Sequence, residues 1–446
     1  MTLSRSTAAR NWLPSEPVPE KAPELETNSL PLHLQQIALV ALLLFGPVAF
    51  GATVPWAILV VQIGAALLFA LWCVEQISSP RILVLRSPLF TPIAAFGLLV
   101  LLQLVFRRSA YLDATLAESM RYVAYGLLLF LAVQRARLRT DFKYFAMALM
   151  GMGFLLAVQA MLQGFSGSQK LLWLVMPSSI NAGVFGSYAN HNHYAGLMEL
   201  LIPFPLILSL FGVWKGEKRI LCIFATVVMT ASLFLSKSRG GMVAFAVQMI
   251  FITFIALRRR TKNLVLGLTV ACVLMAGILW WLDSQGIIGE RISTLANPIA
   301  AADIRISILR DGWRMFAARP ILGWGLGVFP VAYPQFRSFA TDSLINQAHN
   351  DYLQALVETG LLGFALVCWF IFLLYRNGLP HIRSCGYDLK AAVRTAALVG
   401  CTGLLVHSFT DFNLHIPANA ALFFVLAGIA TTSNGNLQTS KLQVNP

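Results

Sequence analysis

Apolar runs recur from about residue 36 to residue 432 of this 446-residue chain and exclude most soluble folds. A run of roughly 20 apolar residues crosses a bilayer as a helix. Within hydrocarbon, backbone polar groups must be satisfied inside the element, and a helix does this alone. Composition agrees. Asp, Glu, Lys and Arg make up 12 % of the chain, against about 25 % in a typical soluble domain. So few charges cannot cover a water-facing surface. Spans are expected near 36–50, 54–74, 88–106, 119–134, 144–162, 194–213, 219–236, 241–257, 263–282, 360–376, 391–410 and 417–432. The expected fold is an all-α polytopic membrane protein with about 12 transmembrane helices. Its parts read as a disordered cytoplasmic tail (1–34), N-terminal transmembrane helices (35–162), a larger membrane domain (163–432) and a cytoplasmic C-terminal tail (433–446).

Charge placement gives an orientation. The net charge is +14, from 33 Lys and Arg against 19 Asp and Glu. With the N-terminus inside, inner loops hold Arg81 and Arg86; Arg135, Arg137, Arg139 and Lys143; Lys215, Lys218 and Arg219; Arg258, Arg259, Arg260 and Lys262; and Arg376, Arg383 and Lys390. That follows the positive-inside rule. Arg107 and Arg108 break it, since they fall outside after the third span, and an anionic group there would explain them. The same bias accounts for the basic excess without a nucleic-acid surface, which needs a concentrated basic, aromatic-bearing face. Five of the six cysteines fall in expected spans and Cys385 in an inner loop, so no disulfide is expected, and no CxxC or metal-ligand spacing occurs. The tail before the first span is polar and proline-rich, unlike a signal peptide.

Two outer segments stand out, a medium loop at 163–193 and a long one at 283–359. In the long loop, 303–318 reads as a helix with Ile304, Ile308, Leu309, Met315 and Phe316 mostly on one side. Arg319–Pro320 ends it, and GWGLG at 323–327 reads as a flexible turn. Segment 347–359 is helical in composition and runs into the tenth span.

Five polar clusters fall on this outer side under one topology. Asn190-His191-Asn192-His193 opens the sixth span, with Glu199 inside it. Asparagines both donate to and accept from sugar hydroxyls, and a carboxylate within a span is costly unless paired. Ser236-Lys237-Ser238-Arg239-Gly240-Gly241 puts two cations on a short outer loop, where a diphosphate would compensate them. Arg305, Arg310, Arg314 and Arg319 lie along the long-loop helix, where Asp303 and Asp311 can neutralise some of them. In AHNDYLQ at 348–354, His349 is the natural general base near neutral pH, Asp351 either orients it or caps the helix, and Glu358 follows. His407-Ser408-Phe409-Thr410-Asp411-Phe412-Asn413, then His415 and Pro417, either braces the site or touches substrate. Each cluster also has a purely structural reading as caps, tight turns or solvated charge; their shared face argues for one site.

The segments GSYANHNHYAGLMELLIPF (186–204), SKSRGG (236–241), RISILRDGWRMFAARPILGWGLGVFPVAYPQF (305–336), AHNDYLQALVETGLLG (348–363) and HSFTDFNLHIPANA (407–420) resemble the O-antigen ligase and polymerase superfamily of bacterial envelope glycosyltransferases. The resemblance covers roughly 180–430 in order. It implies a glycosyltransferase C-like fold with a large periplasmic loop and an active site at the periplasmic face of the inner membrane. It also implies an undecaprenyl-diphosphate-linked glycan donor. The acceptor is lipid A-core, a second lipid-linked glycan or a protein hydroxyl, and polysaccharide assembly proteins are possible partners. No cofactor, metal or nucleic acid is implied. Carried onto this chain, it makes Arg239, Arg305 and His349 the catalytic residues, with Lys237 and Arg310 joining the arginines on the diphosphate. Asn190, His191, Asn192, His193, Glu199, Asp351, Glu358, His407 and Asp411 would bind glycan or support the site, and the sequence does not choose between His191 and His193. The competing class is a transporter or flippase of a lipid-linked glycan, which would place its polar residues near the membrane midplane in matched halves. Within the enzyme class, polymerase, ligase and protein O-oligosaccharyltransferase all stay open.

Overall fold

The computed structural model describes residues 30–79, 84–136, 139–177, 183–258, 299–341, 344–386 and 388–432. The ninth expected span (263–282), the first part of the long loop (283–298) and most of both expected tails lie outside them. Among the described residues the regular structure is helical, with only isolated β-bridges. The helices are α1 (Leu30–Val48), α2 (Pro55–Ser78), α3 (Phe90–Val105), α4 (Leu112–Arg135), α5 (Arg139–Phe165), α6 (His191–Leu201) and α7 (Pro203–Leu210). There follow α8 (Glu217–Leu235), α9 (Arg239–Arg258), α10 (Ile299–Ala318), α11 (Asp351–Gly378), α12 (Leu389–His407) and α13 (Pro417–Thr431). Among the described residues, eight helical segments are long and apolar enough to cross a membrane, and Leu34–Val48, Phe90–Val105 and Pro417–Thr431 are shorter apolar helices.

Several boundaries differ from the expected spans. α1 begins at Leu30, inside the expected tail. α4 starts at Leu112, so Glu118 and Arg121 join one continuous helix; their ion pair (2.7 Å) neutralises them there. The sixth span is divided in hydrogen bonding at Pro203, which has no N–H to donate. Ile202 keeps helical angles, so the segment is not unwound there. Asn190, Asn350 and Asp388 cap α6, α11 and α12 by accepting from backbone amides two or three residues ahead.

The two faces of α2 show why this is a membrane bundle. Ala57, Val61, Ala65, Leu68 and Trp72 are buried. Leu59, Ile63, Leu67, Leu71 and Val74 face outward and are equally apolar. An outward apolar stripe on a long helix is stable against lipid, not water. At the centre lie the α6–α7 segment and α12. In their most apolar windows 94 % and 89 % of residues are buried, against 28–44 % for the other long segments. α12 packs on α6, α7, α9 and α13, and α13 packs on α4.

The chain passes up and down, so α6, α9, α11 and α13 begin at the same end at which α3, α8 and α12 finish. The opposite end is tied by Arg135, which ion-pairs with Glu75 and bonds Gln35, and by Arg394 Nε donating to Thr432 Oγ1 (2.9 Å). Lys215, Lys218, Arg219, Arg258, Arg376, Arg383 and Lys390 lie at helix ends on that side.

Part of the long loop forms a small second core on the site end. Ile308 and Met315 of α10 pack with Phe329, Tyr333, Ala348, Leu353 and Val357. Ile304 departs from the expected apolar face and is exposed, one turn before the contact begins. Asp311 is fully buried and accepts from the Tyr333 hydroxyl (3.2 Å), Ser338 N (2.9 Å) and Ser338 Oγ (3.1 Å). The GWGLG turn is fixed, not flexible. Trp324 N and Gly325 N donate to the carbonyls of Val357 and Glu358, both at 2.9 Å, and Leu361 N donates to Pro320 O (2.8 Å). This seats the turn in a kink of α11 at Gly360, whose φ is +65°. A Cβ there would lie 2.2 Å from Ile321 O, so only glycine fits. Gln103 at the end of α3 donates to Leu322 O (2.7 Å) and Glu358 O (3.1 Å), closing the clamp.

Candidate active site

Asp411 is the hub of the site end. It lies in the turn between α12 and α13 and is 1 % exposed. Its Oδ2 accepts from Asn192 Nδ2 (2.6 Å) and its Oδ1 from Phe412 N (2.9 Å). Two histidines face the same carboxylate, His193 Nε2 at 3.7 Å and His349 Nδ1 at 3.4 Å. Both contacts are close pairings outside hydrogen-bond geometry. The Phe412 ring stands edge-on to both imidazoles, 4.6 Å from His193 and 5.0 Å from His349. Burial alone would raise the Asp411 carboxyl, but the two histidines outweigh it and hold it well below the usual carboxylate range. The choice between His191 and His193 is thereby made for the carboxylate: His193 faces it. His191 is half-buried, and its N–H donates to Gly183 O (3.0 Å).

His349 sits just before α11 with φ +51°, in the left-handed region. Non-glycine residues reach it at a cost, and histidine is among those found there. Asn350 holds this shape, since its Oδ1 accepts from Leu353 N (2.9 Å) and its Nδ2 donates to Phe409 O (3.0 Å). Asp351 does neither of the things expected from its place beside His349. Its Oδ1 pairs with His415 Nδ1 (2.8 Å), and its Oδ2 accepts from Ser408 Oγ (2.7 Å) and Leu414 N (3.2 Å). The helix turn carries the Asp351 side chain away from His349, and Asn350 takes the cap.

Glu199, two turns into α6, is fully buried and meets His407 Nδ1 at 2.7 Å. The pairing expected for a carboxylate in a span is therefore made. His407 in turn abuts the glycines between α8 and α9. A Cβ on Gly240 would lie 2.6 Å from the His407 ring and 2.6 Å from Thr410 Oγ1, and one on Gly241 would lie 3.3 Å from Glu199 Oε1. These contacts place the SRGG turn against the Asp411 loop. Lys237 and Arg239 are exposed on this turn, and Lys237 has φ +59°.

Arg305 and Arg310 are exposed on α10 and make no ion pair or hydrogen bond among the described residues. Arg314 pairs with Asp311 (3.5 Å), and Arg319 lies over the Trp324 ring at 4.1 Å. The helix is anchored to α11, but its arginines are not drawn into the carboxylate–histidine network. Glu358 is taken up by the loop clamp, accepting from Gly327 N (2.8 Å) and Phe329 N (3.3 Å).

Sequence reasoning names His415, Phe412 and Gln354 only as members of their clusters and Asn419 only within the 407–420 segment, without their partners. Asn419 Nδ2 donates to His193 O (2.9 Å) and Tyr188 donates to Asn419 Oδ1 (2.9 Å), bracing the start of α6. The signal available was polar residues at the mouths of apolar spans; their partners lie far away in sequence. Gln354 Nε2 lies 3.1 Å from His415 Nε2; a neutral ring accepts from it, and a protonated ring needs the amide turned over. Burial would lower His415, but Asp351 at hydrogen-bond distance, with Glu358 and Glu118 behind it, carries it up to about 9. An unfolded histidine titrates near 6.5. A raised folded value stabilises fully below the unfolded one and is lost as pH rises through the folded one. Stability should therefore fall between pH ~6.5 and ~9 by on the order of 1–3 kcal/mol from this group. Thermal unfolding of wild type and His415→Asn in one detergent checks this: the variant should lose that slope, and an unchanged slope would remove His415 as its source.

The fold and site together define a multi-pass helical membrane protein that gathers histidines, carboxylates and a cationic turn at one end. Residues 224–368 match the family model described as O-antigen ligase. The match supports the chain's resemblance to the O-antigen ligase and polymerase superfamily. That family points to glycosyl transfer between lipid-linked glycan and acceptor substrates. The matched stretch contains the SRGG turn, α10 and His349; His193, Glu199, His407 and Asp411 lie outside it. No curated protein matches the chain.

Proposed function

We propose that the protein transfers or polymerises a glycan from an undecaprenyl-diphosphate-linked donor onto a hydroxyl acceptor, at the periplasmic face of the bacterial inner membrane. The observation that carries this reading is Asp411 between His193 and His349, beside the exposed cations of the SRGG turn. The basic loops at the opposite end support the orientation, with both tails inside.

The chemistry follows from the groups. Asp411 holds the His349 ring by its Nδ1 side, leaving Nε2 for the acceptor hydroxyl. The 3.4 Å separation shortens once substrate excludes water, as pairings of this kind do. The hydroxyl oxygen attacks the anomeric carbon as His349 takes its proton. The bond from that carbon to the diphosphate oxygen breaks, and the lipid diphosphate leaves with the electron pair. Attack in line inverts the anomeric centre. Arg239 and Lys237, joined by Arg305 and Arg310 from the long-loop helix, stabilise the charge that grows on the diphosphate. The leaving group needs no general acid, so no second carboxylic acid is required. Asn190, Asn192 and His191 lie at the start of α6 beside this site and suit sugar hydroxyls.

A transporter is disfavoured by the α6–α7 segment, which is not unwound at Ile202, and by polar groups that gather at one end.

Removing the cations tests the reading. Arg239→Ala should slow turnover of a purified lipid-linked glycan donor by about 10²–10³-fold, as loss of a charge-stabilising donor does. Lys237→Ala should slow it less. Release of undecaprenyl diphosphate is the readout, and full activity in Arg239→Ala would remove the diphosphate assignment.

A further inference from the structure

An apolar groove of about 510 Å³ runs beside the site between α3, α4, α11 and α13. Its α11 wall extends from Asp351 to Ile371 on both sides of the Gly360 kink, a contour of at most about 30 Å at 1.5 Å per residue. Phe96, Gly97, Tyr122, Gly126, Phe370 and Phe424 line its length. Its upper end reaches Asp351, Glu358 and His415.

The carboxylates at this mouth are engaged. Asp351 is held by His415 and Ser408, Glu358 by the amides of Gly327 and Phe329, and Glu118 by Arg121. The cations just beyond are not. Arg107 and Arg108 follow α3 directly, three and four residues past the groove-lining Leu104. Both are exposed, and neither makes an ion pair among the described residues. Arg107 has φ +49°, a conformation an arginine does not adopt without cost. These are also the two basic residues that oppose the charge rule.

We infer that this groove holds the hydrocarbon chain of a phosphate-bearing, lipid-linked acceptor, with Arg107 and Arg108 binding its phosphate. The inference rests on the glycan-transfer reading and adds where the acceptor's lipid sits and which cations hold its phosphate. The donor diphosphate has its cations elsewhere. Gly240 of the SRGG turn abuts His407 and Thr410, whereas Leu414 and His415, further along the same loop, line the groove. His349 and Asp411 stand between the two. Two lipid substrates thus approach from opposite sides of one loop, and a glycan on the groove lipid extends over His349.

The test counts bound undecaprenyl phosphate by native mass spectrometry of the full chain. A Cβ on Gly97 meets nothing within 4 Å, and one on Gly126 meets only Ile93 at 3.5 Å. Gly97→Leu with Gly126→Leu therefore fills the groove without displacing backbone. Wild type should bind two probe molecules, the groove-filled variant one, and Lys237→Ala with Arg239→Ala one. With lipid-linked glycan extracted from the host strain, Arg107→Gln with Arg108→Gln should raise the acceptor KM about tenfold or more, equal to about 1.4 kcal/mol, and leave the donor KM unchanged. An unchanged probe count in the groove-filled variant, or a rise in donor KM instead, overturns the inference. Displacement of the second probe by phosphatidylglycerol at equal concentration makes it a bulk-lipid site and overturns it equally. Full transfer by His349→Ala would instead sink the catalytic reading, while leaving the probe count as it is.

Discussion

Asp411→Asn should lower glycan transfer by about 10²–10⁴-fold, the range that positioned acid–base catalysis supplies. Asparagine preserves size and keeps an acceptor for one of the two donors, Asn192 Nδ2 and Phe412 N, that now share the carboxylate. It removes the negative charge that both His193 and His349 face. His349 then loses what steadies its ring and what favours the imidazolium formed when it takes a proton. The loss should fall on kcat more than on KM, because donor and acceptor contacts lie elsewhere. A double variant separates this from misfolding: once His349 is alanine, Asp411→Asn should slow transfer little further, because the two act as a unit. Activity within threefold of wild type would make Asp411 a structural residue only.

The second large effect is on stability. Glu199→Ala should destabilise the chain by about 3–5 kcal/mol, the cost of stripping one partner from a buried charge pair. Glu199 is fully buried, and His407 Nδ1 at 2.7 Å is 1 % exposed with it. The alanine leaves the His407 ring wedged against Gly240 and Thr410 without its acceptor. Glu199→Gln keeps an oxygen in place and should cost less. A cycle with His407→Ala measures the coupling, with thermal unfolding in detergent as the readout. Equal stability of Glu199→Ala and wild type would show that this pair does not hold α6, α12 and the SRGG turn together.

The sequence made the bundle legible because lipid-facing and core-facing residues are both apolar, so spans stand out without periodicity. For the same reason their ends blur, as at Leu30 and Leu112. The gathering of polar clusters at one end was legible from alternating passes and basic loops. Their partners were not. Asp351 neighbours His349 in sequence, yet a helix turn sends it to His415, while Asp411 arrives from another loop to face His349. The GWGLG glycines read as flexible because glycine permits many conformations. Here Gly323 closes on the backbone of Glu358 and Thr359 beside the kink, Gly325 on Ser109 and Gly327 on Glu118, approaches that only the folded chain reveals.

The measurement that bears most directly on the central claim is the envelope glycan profile of a strain deleted for this gene and complemented with either wild type or His349→Ala. The account predicts that the variant is made and inserted, yet restores none of the finished product. Polymer left on its lipid carrier would then mark a ligase, and single repeat units a polymerase. Full restoration by His349→Ala would contradict the account and return the transporter reading to the front.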